Sequence, residues 1–203
     1  MSKKPLIVFE GIEGSGKSLH IRNVEKYLKK KKVKFIKFRE PGGSKNSEKI
    51  RNLILNKSSK FKNLTDLFLY MASRNENYHQ IIKKNYKKKF ILIDRFVDST
   101  LAYQHYGMKI NKKLILTLNN FILGSLTPDL TFVHTVNKKN LTKRLNLRKR
   151  KNRYDLFNYN FYKIVQNGFL KIAKNKKRYL IVDSNKSISD NKIKVINKIN
   201  KFL

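Results

Sequence analysis

Short runs of apolar, β-branched and aromatic residues alternate along this chain with longer stretches whose apolar positions recur every three or four residues. The short runs predict strands at Leu6 to Glu10, Lys34 to Arg39, Phe90 to Asp94, Leu130 to Val136 and Arg178 to Asp183. Between them, sets such as Val24, Tyr27 and Leu28, or Leu67, Tyr70 and Met71, mark helix faces, and a helix is expected from about Asp155 to Lys174. Strands and helices in alternation predict a parallel five-stranded sheet covered by helices. No repeat appears, and with three prolines and eight glycines no linker divides the 203 residues, so one domain spanning 1–203 is expected.

Composition changes this picture in two places. The chain has no cysteine, which removes disulfides and thiolate metal sites and points to a reducing, cytoplasmic compartment. The first apolar run stops at Glu10, too short for a signal-peptide core, and the stretch Leu114 to Leu123 is interrupted by Thr117, Asn119 and Asn120, so a soluble protein without a membrane span is expected. The formal charge of +35 suggests a polyanion ligand. Against that reading, 38 of the 48 basic residues are lysines spread along the whole chain beside abundant Asn and Ile, which fits compositional drift better than a nucleic-acid patch. In either case the field attracts anionic nucleotides. Lys29 to Lys32 and Lys87 to Lys89 fall where helices end before strands and oppose the helix dipole or are solvated.

In an open α/β sheet, ligands bind beyond the carboxyl ends of the strands, so the residues following each strand carry most weight. After the first comes Gly11-Ile12-Glu13-Gly14-Ser15-Gly16-Lys17-Ser18, a phosphate cradle. Its glycines let backbone N–H groups wrap a polyphosphate, Lys17 supplies a point charge, and the Ser18 hydroxyl can hold Mg²⁺. The second strand runs into Arg39-Glu40-Pro41-Gly42-Gly43-Ser44, a tight loop that places an arginine and a carboxylate at the sheet edge. The third ends in Asp94-Arg95, an acid placed to bind Mg²⁺ beside a cation able to grip a phosphate with two hydrogen bonds. The histidines, His20, His79, His105 and His134, are scattered and read as structural.

Taken together, the phosphate loop from Glu10 to Ser18, Arg39 to Gly43, Asp94-Arg95-Phe96 with Ser99 and Ala102-Tyr103-Gln104, and Thr127 to Thr131 resemble the ordered motifs of thymidylate kinases. The resemblance runs from the first strand to about Ala173. It implies a P-loop NTPase fold with helices on both faces of the sheet and a small lid over about 143–155. It also implies transfer of the ATP γ-phosphoryl group to dTMP with Mg²⁺ held at Ser18 and Asp94, giving dTDP, in a homodimer with no specific nucleic-acid partner.

By the same resemblance, Tyr70 stacks on thymine while Arg74 bonds a base carbonyl, and an i, i+4 pair does share a helix face. Tyr103 lies against the sugar and excludes a 2′-hydroxyl, with Ser99 and Gln104 near base or sugar. Glu13 accepts from the 3′-hydroxyl, and Arg95 and Arg39 serve the acceptor phosphate and catalysis. Gly11, Glu13, Gly14, Ser15, Gly16, Lys17 and Ser18 cradle ATP. Gly14 after Glu13 resembles the type that keeps its catalytic arginine in the lid, with Arg148 leading and Arg144 and Arg153 supporting. The chain departs from the family pattern at Tyr70, usually Phe, at Asn152 and Thr135, commonly Asp, and at Gln166, frequently Arg. Two other readings fit parts of the chain: a deoxynucleoside kinase, with Glu10 or Glu40 as base toward a sugar hydroxyl, and a nucleic-acid-stimulated ATPase.

Overall fold

A computed structural model describes residues 4–149 and 152–203. Five parallel strands, β1 (Leu6–Gly11), β2 (Phe35–Arg39), β3 (Phe90–Asp94), β4 (Leu130–Thr135) and β5 (Tyr179–Asp183), lie in the order β2-β3-β1-β4-β5. All five expected strands are present, with ends moved by one residue at most. The order reverses at β1, so the crevice beyond its carboxyl end is the topological switch point where such sheets bind ligands.

Helices fill the connections: α1 (Lys17–Lys30), α2 (Lys45–Leu55), α3 (Asn63–Asn77), which continues through a π turn at Tyr78–Ile82 into α4 (Lys83–Asn85), and α5 (Val97–Thr100), which continues as a π-helical stretch, Leu101–Gly107. Then follow α6 (Lys112–Leu123), α7 (Lys138–Asn146), a 3₁₀ turn at Arg153–Leu156, α8 (Tyr159–Ala173) and α9 (Ile188–Asn200). Alternation along β1 divides the core. Ile7 and Phe9 pack with Val24 and Leu28 of α1 and Val195 and Ile199 of α9, whereas Leu6 and Val8 face Ile82, Phe96 and Leu123 on the opposite side. Because both faces are covered, the inner strands read as unbroken apolar runs.

One expected element is divided. Instead of a helix from about Asp155, the chain makes the 3₁₀ turn, passes through an extended Phe157 and restarts at Asn158, whose side chain accepts from Phe161 N. Asn152 caps the 3₁₀ turn and Asp155 returns a bond to Asn152 N, so a short polar segment closes on itself before α8 begins. The expected lid therefore comprises the end of α7, a loop and this turn. Arg150 and Lys151, within the expected lid, lie outside the described residues.

Candidate active site

The phosphate loop leaves β1 at Gly11 and enters α1 at Lys17. Gly11 has φ 136°, and a Cβ there would lie 2.4 Å from the carbonyl oxygen of His134 on the neighbouring strand. No side chain fits that position. Gly16, at φ 88°, turns the chain so that the first N–H groups of α1 face the loop, an arrangement that attracts anions. Lys17 Nζ donates to the carbonyls of Gly11 at 2.8 Å and Ile12 at 2.9 Å. Burial, with Arg95 nearby, pushes its pKa down to about 8. Arg144, from α7, donates to the carbonyls of Gly14 and Ser184, each at 2.9 Å, and Ser184 Oγ donates to the Ser15 carbonyl at 2.5 Å. The loop is thus tied to α7 and to the end of β5.

Beside the loop opens a pocket lined by residues of the phosphate loop, α2, α3 and the segment after β3. Glu13, Arg95, Ser99 and Tyr103 line it together. Arg95 donates to Glu13 at 2.8 Å and to Ser99 Oγ at 3.3 Å, and its guanidinium lies over the Tyr103 ring. The Tyr103 hydroxyl donates to the other Glu13 oxygen. Burial would raise the Glu13 carboxyl, but Arg95, Lys17 and this hydroxyl outweigh it and hold Glu13 below its ordinary value. Burial pushes the Tyr103 hydroxyl well up, and the Glu13 charge adds to it.

Tyr70 and Arg74 line the same pocket, one turn apart on α3. The Tyr70 ring meets Tyr154 edge-on, and burial pushes its hydroxyl up to about 12. Arg74 is only 1% exposed. Its guanidinium donates to Glu40 at 2.8 Å, Asn119 Oδ1 at 2.6 Å and Thr100 Oγ1 at 3.0 Å, and packs over Phe96. Gln104 also lines the pocket, and its buried Nε2 has no hydrogen-bond partner. A free buried amide donor facing a cavity is a natural reader of a ligand oxygen.

Arg51 of α2, which the sequence reading passed over, lines the same pocket and donates to the Pro41 carbonyl at 2.6 Å. Its signal was the residue type: arginine stands out in a chain whose background cation is lysine. The carboxylates considered as bases, Glu10 and Glu40, are both buried and already engaged, Glu10 by Phe96 and Ser99 and Glu40 by Arg74.

Ser18 and Asp94 line an adjacent hollow together with Arg39 and Glu48. Asp94 Oδ1 is buried without a hydrogen-bond partner, and Ser18 lines the same hollow with its hydroxyl-bearing side chain. That donor set suits Mg²⁺, which takes few protein oxygens and fills its shell with phosphate and water. Arg39 is not brought to the pocket. It ends β2, is 52% exposed, and pairs with Glu48 at 3.1 Å, while Glu48 also accepts from Gly43 N.

The lid arginines separate in the same way. Arg144 holds the loop, Arg148 pairs with the Asp155 carboxylate, and Arg153 Nη2 donates to both Asp66 carboxylate oxygens, at 2.7 and 2.8 Å. Asn152 and Tyr154, within the expected lid, line the pocket. Gln166 binds Val136 through both backbone groups, fastening α8 to the end of β4. The His134 and His20 rings lie tilted with centroids 5.3 Å apart, and burial, with His20 adjacent, pushes His134 down to about 3.

Residues 9–195 match the thymidylate kinase family model. Among curated relatives, thymidylate kinases of Kosmotoga olearia and of a Sulfurihydrogenibium species are each 38% identical, over 90% and 91% of this chain and 88% and 91% of theirs. A crystal structure of the Ehrlichia chaffeensis thymidylate kinase superposes with a TM-score of 0.79 at 32% identity, covering 98% of this chain and 99% of that one. A phosphate loop, an enclosed pocket and a matching fold over nearly the whole length converge on one conclusion: the chain belongs to the thymidylate kinase family.

Proposed function

We propose that the enclosed pocket receives dTMP with its phosphate toward Arg95 and that the phosphate loop presents the ATP γ-phosphoryl group to it, giving dTDP and ADP. The observation that carries this reading is the Glu13–Arg95–Tyr103 cluster, in which a phosphate-loop carboxylate is bonded to two residues that line the pocket with it. An acceptor phosphate oxygen is already ionised at neutral pH, so no general base is required, and positioning with charge neutralisation carries the reaction. That oxygen bonds to the γ-phosphorus as the β–γ bridging bond breaks, and the electron pair leaves with ADP. Lys17 and the α1 N-terminus meet the growing charge. When bound with ATP at Ser18 and Asp94, Mg²⁺ neutralises the β- and γ-phosphate oxygens.

Tyr70 stacks on the base, Gln104 and Arg74 read its oxygens, and Glu13 accepts from the sugar 3′-hydroxyl while Tyr103 fills the space of a 2′-hydroxyl. Ser99 holds Arg95 at its outer nitrogen, and Arg51 adds charge over the acceptor phosphate. Arg148 and Arg153 reach ATP only on leaving Asp155 and Asp66, whereas Arg144 already sits on the loop. Arg39 acts from the metal side. The enzyme works as a cytoplasmic homodimer. The bare surface of α2, α3 and α6 supports the dimer, because Leu53, Leu64, Phe68, Leu116 and Phe121 are between 44% and 90% exposed there.

The test compares acceptors. With ATP and Mg²⁺, dTMP should yield dTDP at a rate at least about 10³ times that of thymidine, which lacks the phosphate that Arg95 grips. Preference for thymidine would overturn the reading.

A further inference from the structure

Glu10 closes β1, is fully buried, and does not line the pocket. Its carboxyl group is spent on the short stretch that carries Arg95. Oε1 accepts from Phe96 N at 2.8 Å and Ser99 N at 3.1 Å, and Oε2 accepts from Ser99 Oγ at 2.5 Å. The same Ser99 oxygen accepts from Arg95 Nη1 at 3.3 Å. Glu10 therefore grasps the chain on the C-terminal side of Arg95 and, through one hydroxyl, the guanidinium itself.

That grip matters because Arg95 stands at φ 67°, a left-handed conformation that a residue with a side chain adopts only when its surroundings impose it. On its other side, Arg95 N donates to the Phe9 carbonyl at 2.9 Å. Phe96 caps α5 without any cap bond from its own side chain, and Glu10 of the neighbouring strand accepts from the N-cap N–H of Phe96 and from Ser99 N within α5. Burial pushes Glu10 up to about 7, and Asp98 beside it, itself bound by the Tyr179 hydroxyl, adds to the effect. Accepting two N–H groups with one oxygen does not require a full negative charge.

We infer that Glu10 is a positioning residue, which fixes Arg95 in its left-handed turn so that the guanidinium reaches both Glu13 and the phosphate of the acceptor. This rests on the reading that Arg95 grips that phosphate. Binding of dTMP and of thymidine, measured by calorimetry, separates the effects, since a merely distorted pocket weakens both ligands.

Arg95→Ala should weaken dTMP by about 10- to 100-fold with little change for thymidine. Glu10→Ala should show the same selective loss, and Glu10→Gln, whose carbonyl oxygen can still accept both N–H groups, should stay within about threefold of the parent for both ligands. Should Glu10→Ala fail to fold, Glu10→Asp, too short to reach Phe96 and Ser99 together, takes its place in the comparison. Equal losses for both ligands in Arg95→Ala would overturn the assignment of Arg95. A selective loss there, with none in the Glu10→Ala or Glu10→Asp variant, would overturn the role of Glu10 alone. A glutamine variant as weak as the alanine one would overturn the hydrogen-bond account.

Discussion

Arginine in this protein marks function against a lysine background. Arg51, Arg74, Arg95 and Arg144 hold carbonyls, amides or carboxylates through a planar fork that an ammonium cannot reproduce. Arg95 and Arg74 were legible because each stands in a motif, at the end of a strand or one turn from an aromatic. Arg51 was not, because it follows the Pro-Gly-Gly loop at no fixed spacing from another signal, and only the packing of α2 against the pocket brings it in. Arg39 stands in its expected motif at the end of β2, where Glu48 of α2 pairs with its guanidinium and holds it on the metal side, away from the pocket. Glu10 carries a further prediction at this scale. Its carboxyl loses its proton near pH 4.5 when unfolded and near 7 when folded, so the unfolded state binds fewer protons between these values and stability declines as pH rises through that window. The cost saturates at about 3 kcal/mol above pH 7. Glu10→Gln should gain stability relative to the parent from pH 5 to 7 and hold that gain above it, as read from denaturant melts. A difference that stays constant with pH would refute the raised pKa.

At the scale of elements, the strands were legible because both faces of the sheet are covered, and a run such as Phe90 to Ile93 has no polar side to confuse it. The lid was less so. Apolar spacing predicts a helix from about Asp155, yet the Asn152–Asp155 box makes a separate 3₁₀ turn and the Asn158 cap delays the helix to Tyr159, because local side-chain bonds compete with helix continuation. The division gives the lid two separate anchors. Arg153 on Asp66 fixes the turn, where Asn152 and Tyr154 line the pocket, and Arg148 on Asp155 restrains the arginine that the family resemblance puts in catalysis. The two anchors should therefore fail differently in initial-rate kinetics. Asp66→Asn should raise KM for dTMP by about tenfold with KM for ATP unchanged, since it loosens the pocket wall. Arg148→Ala should cut kcat by about 10² with small changes in either KM, since it removes charge that matters most in the transition state. Identical profiles for the two variants would mean that the lid acts as one body.

Across the whole molecule, charge is distributed unevenly between interior and surface. Of thirteen acids, Glu10, Glu13, Glu40, Asp66, Asp94, Asp98 and Asp155 lie in or beside the site, which leaves few to offset the lysines outside. The surplus of +35 is thus displayed almost entirely to solvent around a crevice that takes two anions. Association of a fluorescent ATP analogue should slow by about tenfold between 20 and 300 mM salt, with the dissociation rate nearly constant. Salt-independent association would leave the charge without a role in capture. Among the described residues no helix is long and apolar enough to cross a membrane. The most direct test of the account is a crystal structure with dTMP and a non-hydrolysable ATP analogue. It should place the pyrimidine between Tyr70 and Gln104, the dTMP phosphate on Arg95 and the triphosphate on Lys17. Pyrimidine density outside this pocket, or a phosphate held by Arg39 and Lys37 instead, would contradict it.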